Sequence, residues 1–147
     1  MLVSHSALIM VIDGAKMSLF RNREKDFSVD LELIEQNAQH SASTAELGTY
    51  KPGRSFSSKG QGRSAYESTD YHQAEEDEFA KAATEKLNGL AKDSKLDFIL
   101  IAAPQVLGIM RQHYSGDLHK HLVAEIDKNY AGRPALEIAK LLNHFEP

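Results

Sequence analysis

Apolar and polar residues change rhythm several times along this chain, and each rhythm predicts an element. Leu8-Ile9-Met10-Val11-Ile12 is an unbroken aliphatic run, as expected of a strand with both faces covered. It stops at Asp13-Gly14, a pair that accepts the positive φ angles of a tight hairpin turn, so a second strand is expected over residues 17–21. After the polar turn at 22–25, Phe27, Val29, Leu31 and Leu33 alternate with Ser28, Asp30 and Glu32, the period of a third strand. The three strands read as an antiparallel meander.

From about 37 to 67 neither period holds, and Ser, Gly, Ala, His and Arg predominate. This predicts a long mobile loop, and loops of such length inside compact domains are usually functional or disordered. Helical signals resume at Asp70, which can cap a first turn with Gln73 three positions on, and Phe79, Ala83, Leu87 and Leu90 then mark one face. The run over residues 96–102 suits a central strand covered by helices on both sides. Pro104 opens a helix carrying Val106, Leu107 and Met110 inward, followed by a short turn around 115–118. Residues 122–127 read as another strand, with a helix through 119–126 as the alternative. Pro134 opens a last helix in which Leu136, Ala139 and Leu142 share a face. The element order is βββαβαβα.

A length of 147 residues, 41% hydrophobic, is enough for one core, so residues 1–147 are expected to form a single domain. No apolar run approaches the roughly 20 residues a membrane-spanning helix needs, and the opening residues lack the basic start and cleavage site of a signal peptide. With no cysteine, thiolate chemistry and disulfides are excluded, which fits a reducing compartment. The cytoplasm is the expected location, with no membrane partner. A formal net charge of −4 argues against binding nucleic acid over the whole surface but leaves room for a local basic patch.

Such a patch lies in residues 51–63, where Lys51, Arg54, Lys59 and Arg63 occur without an acid among Gly53, Gly60, Gly62 and Phe56. Cations at this spacing can follow a phosphate backbone while glycines let the main chain come close. The expected RNA-binding residues are Lys51, Arg54, Lys59, Gly60, Gln61, Gly62 and Arg63; the alternative is a solvated linker. Glu67, Asp70, Glu75, Glu76, Asp77 and Glu78 follow with no Lys or Arg among them, suited to the positive end of a helix. A resting contact between the basic stretch and this acidic face is a second reading of them.

Other chemistry is thinner. His119 and His121 would share one side of a strand, near His113 and Asp117, but no HExxH spacing accompanies them. Asp13 and Asp127 sit at predicted strand ends, where carboxylates can hold magnesium, and turn formation accounts for Asp13 without it. No GxSxG elbow or GxxxxGK loop is present. The residues therefore point to no catalytic set, no metal site and no cofactor.

Two blocks carry a resemblance: VIDGAKMSLFR near the start, and LIAAPQVLGIMRQHYSGDLHKHLVAEIDKNYAGRP toward the end. With PGRSF at 52–56, they resemble the bacterial host attachment protein family, whose members are described as required for attachment to host cells. That family is in turn similar to the middle domain of the archaeal and eukaryotic peptide-release factor and of Pelota. The resemblance implies a three-layer α/β/α ribonuclease H-like fold on a mixed five-stranded sheet. In those factors a loop between the third strand and the long helix presents Gly-Gly-Gln; here the corresponding stretch is Gly60-Gln61-Gly62, with Lys59 where the first glycine would be. The likeness thus implies the position of a loop and an affinity for ribosomal RNA more than it implies peptide release. The combined expectation is a non-catalytic factor associated with the ribosome or structured RNA. Two alternatives are kept: a protein-partner role supporting attachment to host cells or surfaces, and a hydrolase or metal-dependent nuclease. An exposed edge of the meander could also pair with a second copy.

Overall fold

The computed structural model describes residues 1–39 and 61–146, with side chains at 1–39 and 73–146. In chain order the elements are β1 (Leu8–Ile12), β2 (Lys16–Asn22), β3 (Leu31–Ala38), α1 (Gln61–Ala91), β4 (Phe98–Ala102), α2 (Pro104–Arg111), α3 (Gly116–His121), β5 (Leu122–Ile126) and α4 (Ala135–His144). The strands form one mixed sheet in the order β3-β2-β1-β4-β5. β1 pairs antiparallel with β2, and β2 with β3; the pairs β1–β4 and β4–β5 are parallel.

The unbroken aliphatic runs are explained by helices on both faces. Leu8, Met10 and Ile12 of β1, with Phe98, Leu100 and Ala102 of β4, pack in one core with α1, α2 and α3. Their neighbours Ile9, Val11, Ile99 and Ile101 face the other way, into a second core with Ile138, Ala139 and Leu142 of α4. Alternate residues of a strand point to opposite faces, so a strand with a core on each side has no polar phase. The three-layer α/β/α arrangement on a mixed five-stranded sheet is the one observed.

α1 lies on the sheet through Ala80, Ala83, Leu87 and Ala91, all buried, and Thr84 Oγ1 donates to the Ala80 carbonyl at 2.8 Å. Alanine at three of these positions lets the helix axis approach closely. Leu90, expected on this face, is 40% exposed. The helical period carries the buried row from Leu87 to Ala91 and leaves Leu90 off to the side.

Other expectations change too. α1 begins at Gln61, nine residues before the cap expected at Asp70, because glycine and serine at 60–64 weaken a helix without forbidding it. An additional short helix, α3, makes the order βββαβααβα; Ser115 caps it by accepting from Leu118 N. Phe27 adopts φ 69° and lies outside β3, in a turn where Ser28 N donates to Asp26 Oδ1. The Ser28 contacts hold the Asp26 carboxyl below its ordinary range. Leu33 is largely exposed, and the register shifts opposite Leu19 and Phe20, which breaks the expected alternation. In α4 the buried row is Ile138, Ala139 and Leu142, while Leu136 faces solvent.

Asn22 closes the meander from within. Fully buried, its Nδ2 donates to the carbonyls of Val3 (3.1 Å), Ser4 (3.2 Å) and Ser28 (2.9 Å), and its Oδ1 accepts from Asp30 N at 2.9 Å. A buried amide with its partners in place fixes three chain segments at once. Among the described residues no helix is long and apolar enough to cross a membrane.

Candidate functional site

The expected RNA-binding residues divide at the edge of the described chain. Lys51, Arg54, Lys59 and Gly60 lie outside the described residues. Gln61, Gly62 and Arg63 form the first turn of α1, where a mobile loop was expected. That turn contains no acid, so the positive end of the helix dipole is not offset there by a carboxylate. The six acids expected at a helix start occur from Glu67 onward instead, well inside α1.

Asp13 is engaged in its own turn. Its Oδ1 accepts from Ala15 N and Lys16 N, both at 2.8 Å, which closes the β1–β2 hairpin. Gly14 does not adopt a positive φ, and the Glu76 side chain lies close over it: a Cβ built there would come within 2.9 Å of Glu76 Cδ. Asp127 follows β5, two strands away from β1, roughly 10 Å across the sheet at the usual strand spacing. No group of three His, Cys, Asp or Glu that could hold a metal ion occurs among the described residues. His119 and His121 lie on α3 and not on a strand, so at two positions apart on a helix they point in nearly opposite directions.

Two clefts flank the parallel strands. The first, of about 450 Å³, opens at the carboxyl ends of β1 and β4 and is lined by Asp13, Gly14, Glu76, Ala103, Gln105 and Asn129. Open α/β sheets generally hold their ligands at this end. α2 starts here with Pro104, and its N-cap residue Ala103 offers no side-chain cap.

The second cleft, about 500 Å³, lies where α2, α3 and β5 meet and is lined by Arg111, Tyr114, Ser115, Gly116, His119 and Glu125. Its centre is the Glu125 carboxylate. Arg111 donates to Oε1 from Nε at 3.0 Å and from Nη2 at 2.7 Å, while the Tyr114 hydroxyl donates to Oε2 at 2.5 Å. Partial burial pushes the Glu125 carboxyl upward, but the bonds from Arg111 and Tyr114 outweigh it and hold the group below its ordinary range. Burial, then the same carboxylate, drives the Tyr114 phenol far above its usual value, so it stays protonated and donating. The hydrogen bond to Glu125 likewise raises Arg111. The His119 ring sits 6.5 Å from that of Tyr114, centroid to centroid.

α1 reaches this second cleft through one side chain. Asn88 Nδ2 donates to the His113 carbonyl and Asn88 Oδ1 accepts from Ser115 N, both at 2.9 Å, so a single amide brackets the turn between α2 and α3. None of Asn88, Arg111, Tyr114 or Glu125 was singled out from sequence. Glu125 left one trace, as the sole charged residue in an otherwise apolar strand, LVAEI.

The sequence model of bacterial archaeo-eukaryotic release factor family 12 matches residues 6–142. The chain belongs to that family. No curated protein matches this release-factor-family chain. Among solved structures it is similar to the ethanolamine utilization protein EutJ from Carboxydothermus hydrogenoformans, with 14% identity and a TM-score of 0.42. The likeness covers 92% of this chain and 49% of that one, so this family member spans about half the length of that structure.

Proposed function

We propose that this release-factor-family protein is a non-catalytic factor that associates with the ribosome or with structured RNA in the cytoplasm. The observation that carries the reading is the acid-free segment 51–63, with Lys51, Arg54, Lys59 and Arg63, running into the first turn of the 31-residue α1. Cations followed by an acid-free helix start are suited to phosphates, which are attracted by both. Family membership supports the reading, since the family takes its description from release factors. The Gly60-Gln61-Gly62 order, in place of Gly-Gly-Gln, argues against peptide release itself.

The test is sedimentation of the protein with ribosomal particles at low and high salt, beside filter binding to a structured RNA. Co-migration lost at high salt is expected, as is a drop of roughly tenfold or more in RNA affinity for the double variant Lys59→Glu, Arg63→Glu. Unchanged binding by that variant would remove the reading.

A second reading, a protein-partner role in attachment to host cells or surfaces, rests on the host attachment likeness and on apolar residues exposed at both sheet edges. Leu33 and Ile34 of β3 are 48% and 41% exposed, and Val123 of β5 is 47% exposed. Protease shaving of intact cells separates direct adhesion, in which the protein is cleaved, from an indirect role inside the cell.

A further inference from the structure

In the cleft between α2, α3 and β5 the accepting groups are spent and the donating ones are not. Arg111 and Tyr114 fill three of the roughly four lone-pair sites of the Glu125 carboxylate. A guanidinium carries five N–H groups in a rigid fork, so Arg111 keeps three after its two bonds to Glu125, both hydrogens of Nη1 among them. Ser115 Oγ accepts from Leu118 N at 3.0 Å, which leaves its own hydroxyl proton to be donated elsewhere. Neither ring nitrogen of His119 has a hydrogen-bond partner among the described residues, and a neutral or charged imidazole always has at least one N–H to donate.

These donors are also held in place. Glu125 pins one edge of the Arg111 fork, and Asn88 Oδ1, accepting from Ser115 N at 2.9 Å, fixes the turn that carries the serine. The three come from α2, from the turn after it and from α3, and they line one cleft of about 500 Å³. Glu125 cancels the unit charge of Arg111, so selection here rests on the donors more than on net charge. An acceptor with oxygens on three sides matches them. A phosphate monoester has three terminal oxygens in a tetrahedral array, whereas a planar carboxylate has two, and the guanidinium fork suits phosphate in particular.

We propose that this cleft binds a phosphate monoester, its terminal oxygens accepting from Arg111 Nη1, the Ser115 hydroxyl and the His119 ring. The cleft is larger than a phosphate, so the group that carries it lies in the same space, beside the Tyr114 ring. A free small molecule and the 5′ end of an RNA can both supply such a phosphate. The inference draws on none of residues 51–63 and goes beyond the RNA reading, so the two can fail separately.

The probe is adenosine 5′-monophosphate, titrated into the full chain carrying Lys59→Glu and Arg63→Glu, with the amide chemical shifts of residues 113–119 as the readout. With those two cations reversed, failure of the RNA reading leaves this test intact. Saturable shifts are expected, with none from adenosine and weaker binding from acetate. Arg111→Gln should lower affinity roughly tenfold or more, and His119→Ala roughly threefold or more. His119 is exposed, so its variant tests the site even where circular dichroism shows that loss of Arg111 disturbs the fold. No saturable shift in that turn would overturn the proposal, as would affinity that ignores either variant. Adenosine or acetate binding as well as the monophosphate would overturn it too. The carriers are told apart with an RNA pentamer bearing a 5′-phosphate or a 5′-hydroxyl. A phosphorylated pentamer that binds more tightly than both its hydroxyl form and the mononucleotide assigns the site to an RNA end; a mononucleotide that binds more tightly assigns it to a free small molecule, and either result supports the phosphate site.

Discussion

The middle of the sheet and its margins obey different rules. β1 and β4 bury every residue, whereas β3 buries Leu31 alone and β5 only Ala124 and Ile126. The central strands have cores on both faces and neighbours on both sides, so their side chains are chosen for packing. The margins are wet on one side, so charge and hydrogen-bonding groups can be placed there at little cost to folding. The Arg111–Tyr114–Glu125 cluster lies at one of these margins. Stability is thus concentrated in the middle of the sheet and chemistry at its edges.

The sharpest way to break this contrast is to truncate the centre. Leu100→Ala on β4, fully buried between β1 and β5, should cost about 2–5 kcal/mol by urea denaturation, because the removed atoms leave a cavity with no room to collapse. A loss below about 1 kcal/mol would mean that the centre is not where stability resides.

An intermediate effect is expected at the β5 margin. Tyr114→Phe deletes the hydroxyl that donates to Glu125 and should cost about 1.5 kcal/mol, at the low end for a bond to a charged group because the site is partly open to water. The same cluster should show in the pH dependence. The Glu125 carboxyl is held below its ordinary value, so its contribution is complete above that value and is lost as pH falls through the lowered one. The stability gap between wild type and Glu125→Gln should therefore be widest near neutral pH and narrow on acidification; a gap that widens in acid would reverse the assignment.

The smallest effect belongs to β3. Leu33→Lys, at an exposed edge position, should change stability by no more than about 0.5 kcal/mol while lowering any tendency to aggregate, read by light scattering.

How much of this was legible from sequence follows the same division. β1 was read at its observed limits, and the run ending in Ala102 with Pro104 beyond it marked both β4 and the start of α2, because a doubly covered strand leaves no ambiguity of phase. At the margins the pattern misled. The alternation from Phe27 to Leu33 suggested a regular strand, yet Phe27 belongs to a turn with positive φ and Leu33 faces water. Leu136 and Leu90 were assigned inward on spacing alone, where a neighbouring row of the helix was the buried one. The short α3 was reduced to a turn, although Ser115-Gly116-Asp117 carried a legible cap. The second cleft leaves no local pattern, because Arg111 and Glu125 lie 14 residues apart on different elements and meet only once β5 is laid beside β4.

Asn88 and Glu76 have a mechanical consequence. One grips the turn between α2 and α3, the other lies over Gly14 at the β1–β2 hairpin, and the two are roughly 18 Å apart along the axis of α1. About 22 Å of helix, from Gln61 onward, precedes Glu76. Between and beyond these two points α1 is seated on the sheet through Ala80, Ala83, Leu87 and Ala91, so a shift of the whole helix would be felt at once at the β1–β2 hairpin and at the turn beside Tyr114.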